Sequence, residues 1–431
     1  MKVKRSRSLS PKPSSSVEDM KHLKLQERGN INERIPHPYV VLYFSDEVLL
    51  NIFKYLSPQD LMTISLSCQR FRQLAKDKTL WRRVDFRRTP ILLDELKKYI
   101  KFLHPVTTHL AIRGNLYSER DAGLSACFIY SIKAICTQLK ELIIEEYYIN
   151  GDEIRITDFP RTIEKLSLEG CKVGYLHRNK SYFRQISFYI PNLTSLILSN
   201  CQWVTSHSLL AISKLSKLKE LRLNSCHSLG ECVVYTSLAA KLGFRTLEIL
   251  DLRDTALGDS EVGCFNCTKT LTHLYLECPA NLRNAESAER EPQSLQEALH
   301  LPVYEDANVA QFVVEDRHQL VFQHSHEFQH CLITDRAICS LGICDRRIIN
   351  NSAEGIIIVE EDKRIFNNPH LKTLVVRNYP YVTNSSLVHL ALNVSSLEYL
   401  DVTGTSVTRQ GVETFKTQKA NVKIVSSFDE T

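Results

Sequence analysis

Glycine is scarce, with 14 among 431 residues. That scarcity argues against the glycine-rich loops that cradle nucleotide phosphates, and no Walker loop is present. No run of 18 or more apolar residues occurs, so nothing reads as a membrane span. An N-terminal apolar stretch resembling a signal peptide is also missing. The expected compartment is therefore cytoplasmic and/or nuclear, where the 13 cysteines stay as free thiols. The net charge of +5 is too dilute over so long a chain to imply nucleic acid. No nucleophile elbow or paired carboxylate stands out from ordinary surface charge, so no catalytic residue, cofactor or metal is expected.

What the chain does have is enough apolar residue, 43%, for a sizeable core. Residues 1–38 do not contribute to it. They are rich in Ser, Pro, Lys and Arg without an apolar period, and read as a disordered basic tail. The cluster Lys2, Lys4, Arg5, Arg7 and Lys12 is either a nuclear address or a solvated tail.

Residues 41–86 then change to short amphipathic helices. Leu49, Ile52, Phe53 and Leu56 fall at i, i+3, i+4 and i+7, one helical face. Ser45 can cap this helix, with Phe44 stapled onto Leu49. Ser57 caps a second helix, Pro58 takes its first turn, and Leu61, Ile64 and Cys68 form its apolar side. Phe71 and Leu74 mark a third segment, followed by Trp81, which reads as a core plug.

From about residue 107 to 420 the period changes again. Leu-x-x-Leu-x-Leu occurs at Leu193, Leu196, Leu198; at Leu218, Leu221, Leu223; at Leu247, Leu250, Leu252; and at Leu271, Leu274, Leu276. It returns at Leu371, Leu374, Val376 and at Leu397, Leu400, Val402. Weaker copies stand at Leu139, Leu142, Ile144 and at Ile163, Leu166, Leu168, with a half-copy at Leu110 and Ile112. The spacing of 24 to 32 residues is that of leucine-rich repeats. In such a repeat Leu-x-Leu is a short parallel strand with both leucines inward, and the rest of the unit returns on the outer face as a helix. One repeat cannot bury its own leucines, so neighbours must stack. The predicted fold is α/β: a small three-helix unit followed by a solenoid with parallel strands inside and helices outside.

Two stretches break the period. Residues 281–327 are acidic and read as an inserted, largely disordered loop; a further insertion runs to about Lys363. His318, His324, His326 and His330 cluster at the end of the first, but their spacing fits no metal site. Cys264-Phe-Asn-Cys267 is a CxxC without the second pair that zinc would need.

The run from Phe44 to Leu61, continued by Ser67-Cys68, Arg70-Phe71, Leu74-Ala75 and Leu80-Trp81, resembles the F-box. It departs from that family at the start, where Phe44-Ser45 replaces Leu-Pro. The unit Leu193-Thr-Ser-Leu-Ile-Leu-Ser-Asn-Cys201, with Cys171 and Cys226 at the same place, resembles the cysteine-containing leucine-rich repeats. Together they resemble F-box proteins with leucine-rich repeats. The resemblance implies a substrate-recognition subunit of a Skp1-cullin-F-box ubiquitin ligase, itself without bond chemistry, with Skp1, through it a cullin-RING ligase, and a protein substrate as partners. Neither nucleic acid nor membrane is among them. Carried over by position, the Skp1-facing set is Phe44, Leu49, Leu50, Ile52, Phe53, Leu56, Leu61, Ile64 and Cys68. The alternative is a non-catalytic scaffold that binds partners without ubiquitin transfer. Strand alternation points the residues between the leucines out of the sheet. The candidate substrate contacts are thus Arg222, Asn224, Asp251, Arg253, His273, Tyr275, Glu277, Arg377, Tyr399 and Asp401.

Overall fold

The structure, a computed structural model, describes residues 43–116, 123–176, 181–231, 233–283, 332–347 and 362–429. The basic tail, the histidine cluster and nearly all of the acidic insertion lie outside the described residues. The chain divides into two compact units between Ile52 and Phe53.

Helix α1 (Asp46–Phe53) opens with the Ser45 carbonyl accepting the Leu49 N–H at 3.0 Å. In the second unit, α2 (Pro58–Ile64) starts as its sequence dictates. The Ser57 hydroxyl accepts the Asp60 N–H at 3.1 Å, with Pro58 where its missing N–H costs nothing. Helix α3 (Gln69–Leu74) has an unusual cap, the Cys68 thiol, which accepts the Phe71 N–H at 3.4 Å. Cys68 therefore does not continue the apolar side of α2, which ends at Ile64. Trp81 is the plug its position suggested: its indole donates to the Ala75 carbonyl at 2.8 Å and its ring stacks on Phe102 at 4.6 Å.

Eleven parallel strands form one sheet: β1 (Arg83–Asp85), β2 (His109–Arg113), β3 (Glu141–Glu145), β5 (Lys165–Ser167), β7 (Ser195–Ile197), β8 (Glu220–Arg222), β9 (Ile249–Arg253), β10 (His273–Glu277), β13 (Thr373–Arg377), β14 (Tyr399–Asp401) and β15 (Lys423–Val425). The sheet begins within residues 41–86 and ends beyond 420, so both sequence boundaries move outward. Helices α4 (Leu93–Tyr99), α5 (Ala126–Ile135), α6 (Ile186–Tyr189), α7 (Ser206–Ile212), α8 (Val233–Leu242), α9 (Asp259–Cys264), α10 (Asp335–Ile338), α11 (Asn384–Asn393) and α12 (Arg409–Gln418) return the chain outside it. A small parallel pair, β4 (Tyr148–Asn150) with β6 (Lys172–Gly174), stands beside the main sheet. The repeat leucines are the core: Leu142, Leu166, Leu196, Leu221, Leu250, Leu274, Leu374 and Leu400 all have zero exposure.

Seven repeats turn out of their strand at one left-handed residue. Glu146, Gly170, Asn200, Ser225, Asp254, Asn378 and Gly404 occupy the same repeat position with φ between 54° and 74°. Asn, Asp and Gly tolerate that backbone best, which explains their preference here. The following residue turns back into the core. Where it is cysteine, its thiol donates to the preceding repeat: Cys171 to the Ile144 carbonyl at 3.3 Å, Cys201 to Leu168 at 3.0 Å, Cys226 to Leu198 at 2.9 Å. Burial pushes the Cys171 and Cys226 thiols up to about 12 and Cys201 well above its ordinary value, so these thiols bond and pack but do not react.

The repeat between β10 and β13 carries both interruptions. Despite them, all five residues of β10 pair in register with β13, from His273 beside Thr373 to Glu277 beside Arg377. On the helical side a side-chain ladder bridges the same gap. In three successive repeats the first helical residue binds the threonine that caps the next helix. Asp259 accepts the N–H and hydroxyl of Thr334 (2.8 and 2.6 Å), and Asp335 those of Thr383 (2.8 and 2.6 Å). Asn384 accepts the Thr408 N–H at 2.9 Å and donates to its hydroxyl. The second interruption is an antiparallel pair, β11 (Gly342–Arg347) with β12 (Asp362–Asn367), which leaves the solenoid at left-handed Gly342.

Candidate protein-binding surfaces

The F-box-like residues sort by exposure. Leu49, Phe53 and Leu61 are buried, and Phe53 meets Phe71 edge-on at 5.4 Å. All three are buried and are not available as contacts. Leu50, Leu56, Ile64 and Cys68 are half-buried, while Phe44 and Ile52 are exposed. The structure adds four apolar residues that the helical-face argument passed over: Tyr43, Val48, Tyr55 and Leu66, at 85%, 43%, 92% and 73% exposure. Val48, Ile52 and Tyr55 also fall at helical spacing in sequence, offset from the buried stripe. Selecting only the stronger period hid the exposed one.

On the sheet, alternation puts the candidate substrate residues within the strands on the face turned away from the helices, with Asn224 just past the end of β8, but depth divides them. Asp251 and Asp401 have zero exposure, which corrects their assignment as direct contacts. Arginines cover them. Arg253 binds Asp251 through Nε and Nη2 at 2.9 and 2.6 Å, and Arg377 binds Asp401 through the same two nitrogens at 2.8 and 2.6 Å. Thr403 adds its N–H and hydroxyl to Asp401. Burial alone would raise the Asp401 carboxyl, but the bonds from Arg377 and Thr403 outweigh it and hold the carboxyl below its usual range. The carboxylates raise Arg253 and Arg377 in turn.

The other candidates stay half-exposed. Tyr275 stands at the middle of β10, with Arg253 5.6 Å from its ring and His273 stacked at 6.3 Å. Arg222 pairs with Glu220 at 2.6 Å, Asn224 accepts from Ser199, and Glu277 accepts from Arg283 and Asn378. Lys423 lies over Tyr399 at 6.0 Å. The thiols of Cys264 and Cys267 donate to the Ser260 carbonyl and the Asn266 side chain, and among the described residues no group of three or more His, Cys, Asp or Glu is placed to hold a metal ion. No described helix is long and apolar enough to cross a membrane.

Comparison with known proteins follows the same division. Residues 46–87 match the F-box-like family. F-box/LRR-repeat protein 12 from Homo sapiens is 27% identical over 213 residues, covering 48% of this chain and 62% of the relative. Its Mus musculus counterpart is 27% identical over 210 residues, again 48% and 62%. The match thus spans less than two thirds of the length of these relatives. Among solved structures, the yeast Rad7 and Elc1 complex aligns over 96% of this chain and 98% of that chain, at 14% identity and a TM-score of 0.37.

Proposed function

We propose that this chain, an F-box-like segment joined to leucine-rich repeats, is the substrate-recognition subunit of a Skp1-cullin-F-box ubiquitin ligase. The observation that carries the reading is the coexistence in one polypeptide of the F-box-like match at 46–87 and an eleven-stranded repeat sheet. The first supplies a docking segment with exposed apolar side chains. The second supplies a broad, rigid surface of Arg, Tyr and His, the composition that protein interfaces favour. In this role the chain does no bond chemistry. It raises the concentration of a target's lysines near a charged conjugating enzyme, into the millimolar range for short flexible tethers. Similarity to F-box/LRR-repeat protein 12 supports the adaptor class.

Affinity purification of the tagged full chain tests the proposal. Skp1 and a cullin should co-purify with the wild type. Ile52→Asp and Leu66→Asp, both at exposed positions, should reduce that recovery at least tenfold without loss of fold, while proteins held by the repeats remain bound and accumulate in cells. Recovery of repeat partners with neither Skp1 nor cullin would point to a scaffold instead.

A further inference from the structure

The outer face of β9, β10 and β13 is a three-by-three grid set by register. Ile249, His273 and Thr373 form one row, Asp251, Tyr275 and Val375 the next, and Arg253, Glu277 and Arg377 the third. We propose that this grid is the recognition site for an extended acidic peptide segment, whose carboxylates four residues apart engage Arg253 and Arg377 while the apolar or aromatic side chain midway between them, on the same face, rests on Tyr275. The inference rests on the adaptor reading and names the target chemistry of the same sheet.

Three observations carry it. First, cation and anion are at different depths. Asp251 and Asp401 have no exposed surface, whereas the Arg253 and Arg377 side chains are 36% and 40% exposed. At these two pairs a ligand meets guanidinium and not the aspartate beneath it. At the first repeats the pairing differs: there Arg87 binds both Asp85 and Glu145, and Arg113 binds Glu146, carboxylates that are 46%, 18% and 37% exposed.

Second, the arginines are preorganised. Each spends its Nε and Nη2 edge on the buried aspartate, and neither Nη1 has a partner among the described residues. A guanidinium held in place gives up little rotamer entropy on binding, and charge-assisted bonds to carboxylates are the strong ones. Third, the spacing selects. Arg253 and Arg377 are two strands apart, about 10 Å at the usual separation of about 4.8 Å. An extended chain rises about 3.3 Å per residue and alternates its side chains, so residues four apart, about 13 Å along the chain, face the sheet together, reach both arginines with their side chains inclined inward, and leave one same-facing residue midway. Glu277 lies between them, its side chain 24% exposed and one carboxylate oxygen accepting from Arg283 and Asn378, and it opposes a third carboxylate at the centre. Tyr275 stands in its row between buried Asp251 and buried Val375, with half-buried Ile249 diagonal to it, and its ring offers the central residue an apolar seat.

The test is selection of a randomised dodecapeptide display library on the purified full chain. Arg253→Gln alone leaves a buried carboxylate unpaired and can unfold the repeat. The paired variants Asp251→Asn/Arg253→Gln and Asp401→Asn/Arg377→Gln avoid this and leave net charge unchanged. The selected peptides should carry two acidic residues four apart with an apolar or aromatic residue midway, and should bind either paired variant at least tenfold more weakly. Enrichment of neutral or basic sequences, equal binding to the paired variants, or no enrichment overturns the proposal. Skp1 recovery on the same preparations reports on the adaptor reading separately.

Discussion

Asp335 shows how one residue can hold the interrupted repeat in line. Its carboxylate accepts the Thr383 N–H and hydroxyl and the Ser386 hydroxyl, so three donors of the next repeat depend on it. Burial raises this carboxyl, but the bonds from Ser386 and Thr383 more than offset the rise, and the group sits below its ordinary value. A depressed carboxyl contributes stability that is present above its unfolded value of about 4 and is lost as pH falls through the folded value. Asp335→Ala, which removes the acceptor for all three donors, should cost about 1–3 kcal/mol at pH 7. In urea unfolding followed by circular dichroism, the gap between wild type and variant should narrow from pH 7 to pH 3; a constant gap would contradict the ionic role. Sequence pattern placed Asp251 and Asp401 on the correct side of the sheet and at the wrong depth. Alternation fixes which face a side chain leaves from. It does not say that the arginine two residues on, or on the preceding strand, will fold over it.

At the scale of elements, the Leu-x-x-Leu-x-Leu copies were legible because each leucine repeats a burial requirement: all of Leu193, Leu196 and Leu198 through Leu271, Leu274 and Leu276 are buried. The first strand was not. Arg83-Val84-Asp85 has one apolar residue and no period, yet it pairs residue by residue with His109, Leu110 and Ala111. The β11–β12 pair was likewise hidden inside a stretch that broke the period. Strand β1 has a consequence for truncation. A chain starting at Thr79 keeps Trp81, the sheet edge and buried Phe86, and should fold cooperatively. A chain starting at Arg87 loses all three and bares β2 as an open edge. Losing the Trp81 packing alone is worth about 3–5 kcal/mol, so the shorter chain should melt several degrees lower and aggregate on heating. Equal melting of the two truncations in thermal scans would show that β1 is not part of the structural repeat array.

At the scale of the whole molecule, one segment is read as attaching to ligase machinery and another as holding a target. The helical F-box pattern was complete in sequence except at Phe44-Ser45. What sequence could not supply was the sorting of its apolar residues into buried (Leu49, Phe53, Leu61) and exposed (Val48, Ile52, Tyr55, Leu66), because both sets are hydrophobic and both fall at helical spacing. Light scattering of the purified full chain mixed with purified Skp1 tests the central claim most directly. A single species of one-to-one mass is expected, and Ile52→Asp with Leu66→Asp should return two separate components while the chain keeps its wild-type melting temperature. Separate components with the wild-type chain, or a complex untouched by the two substitutions, would contradict the account.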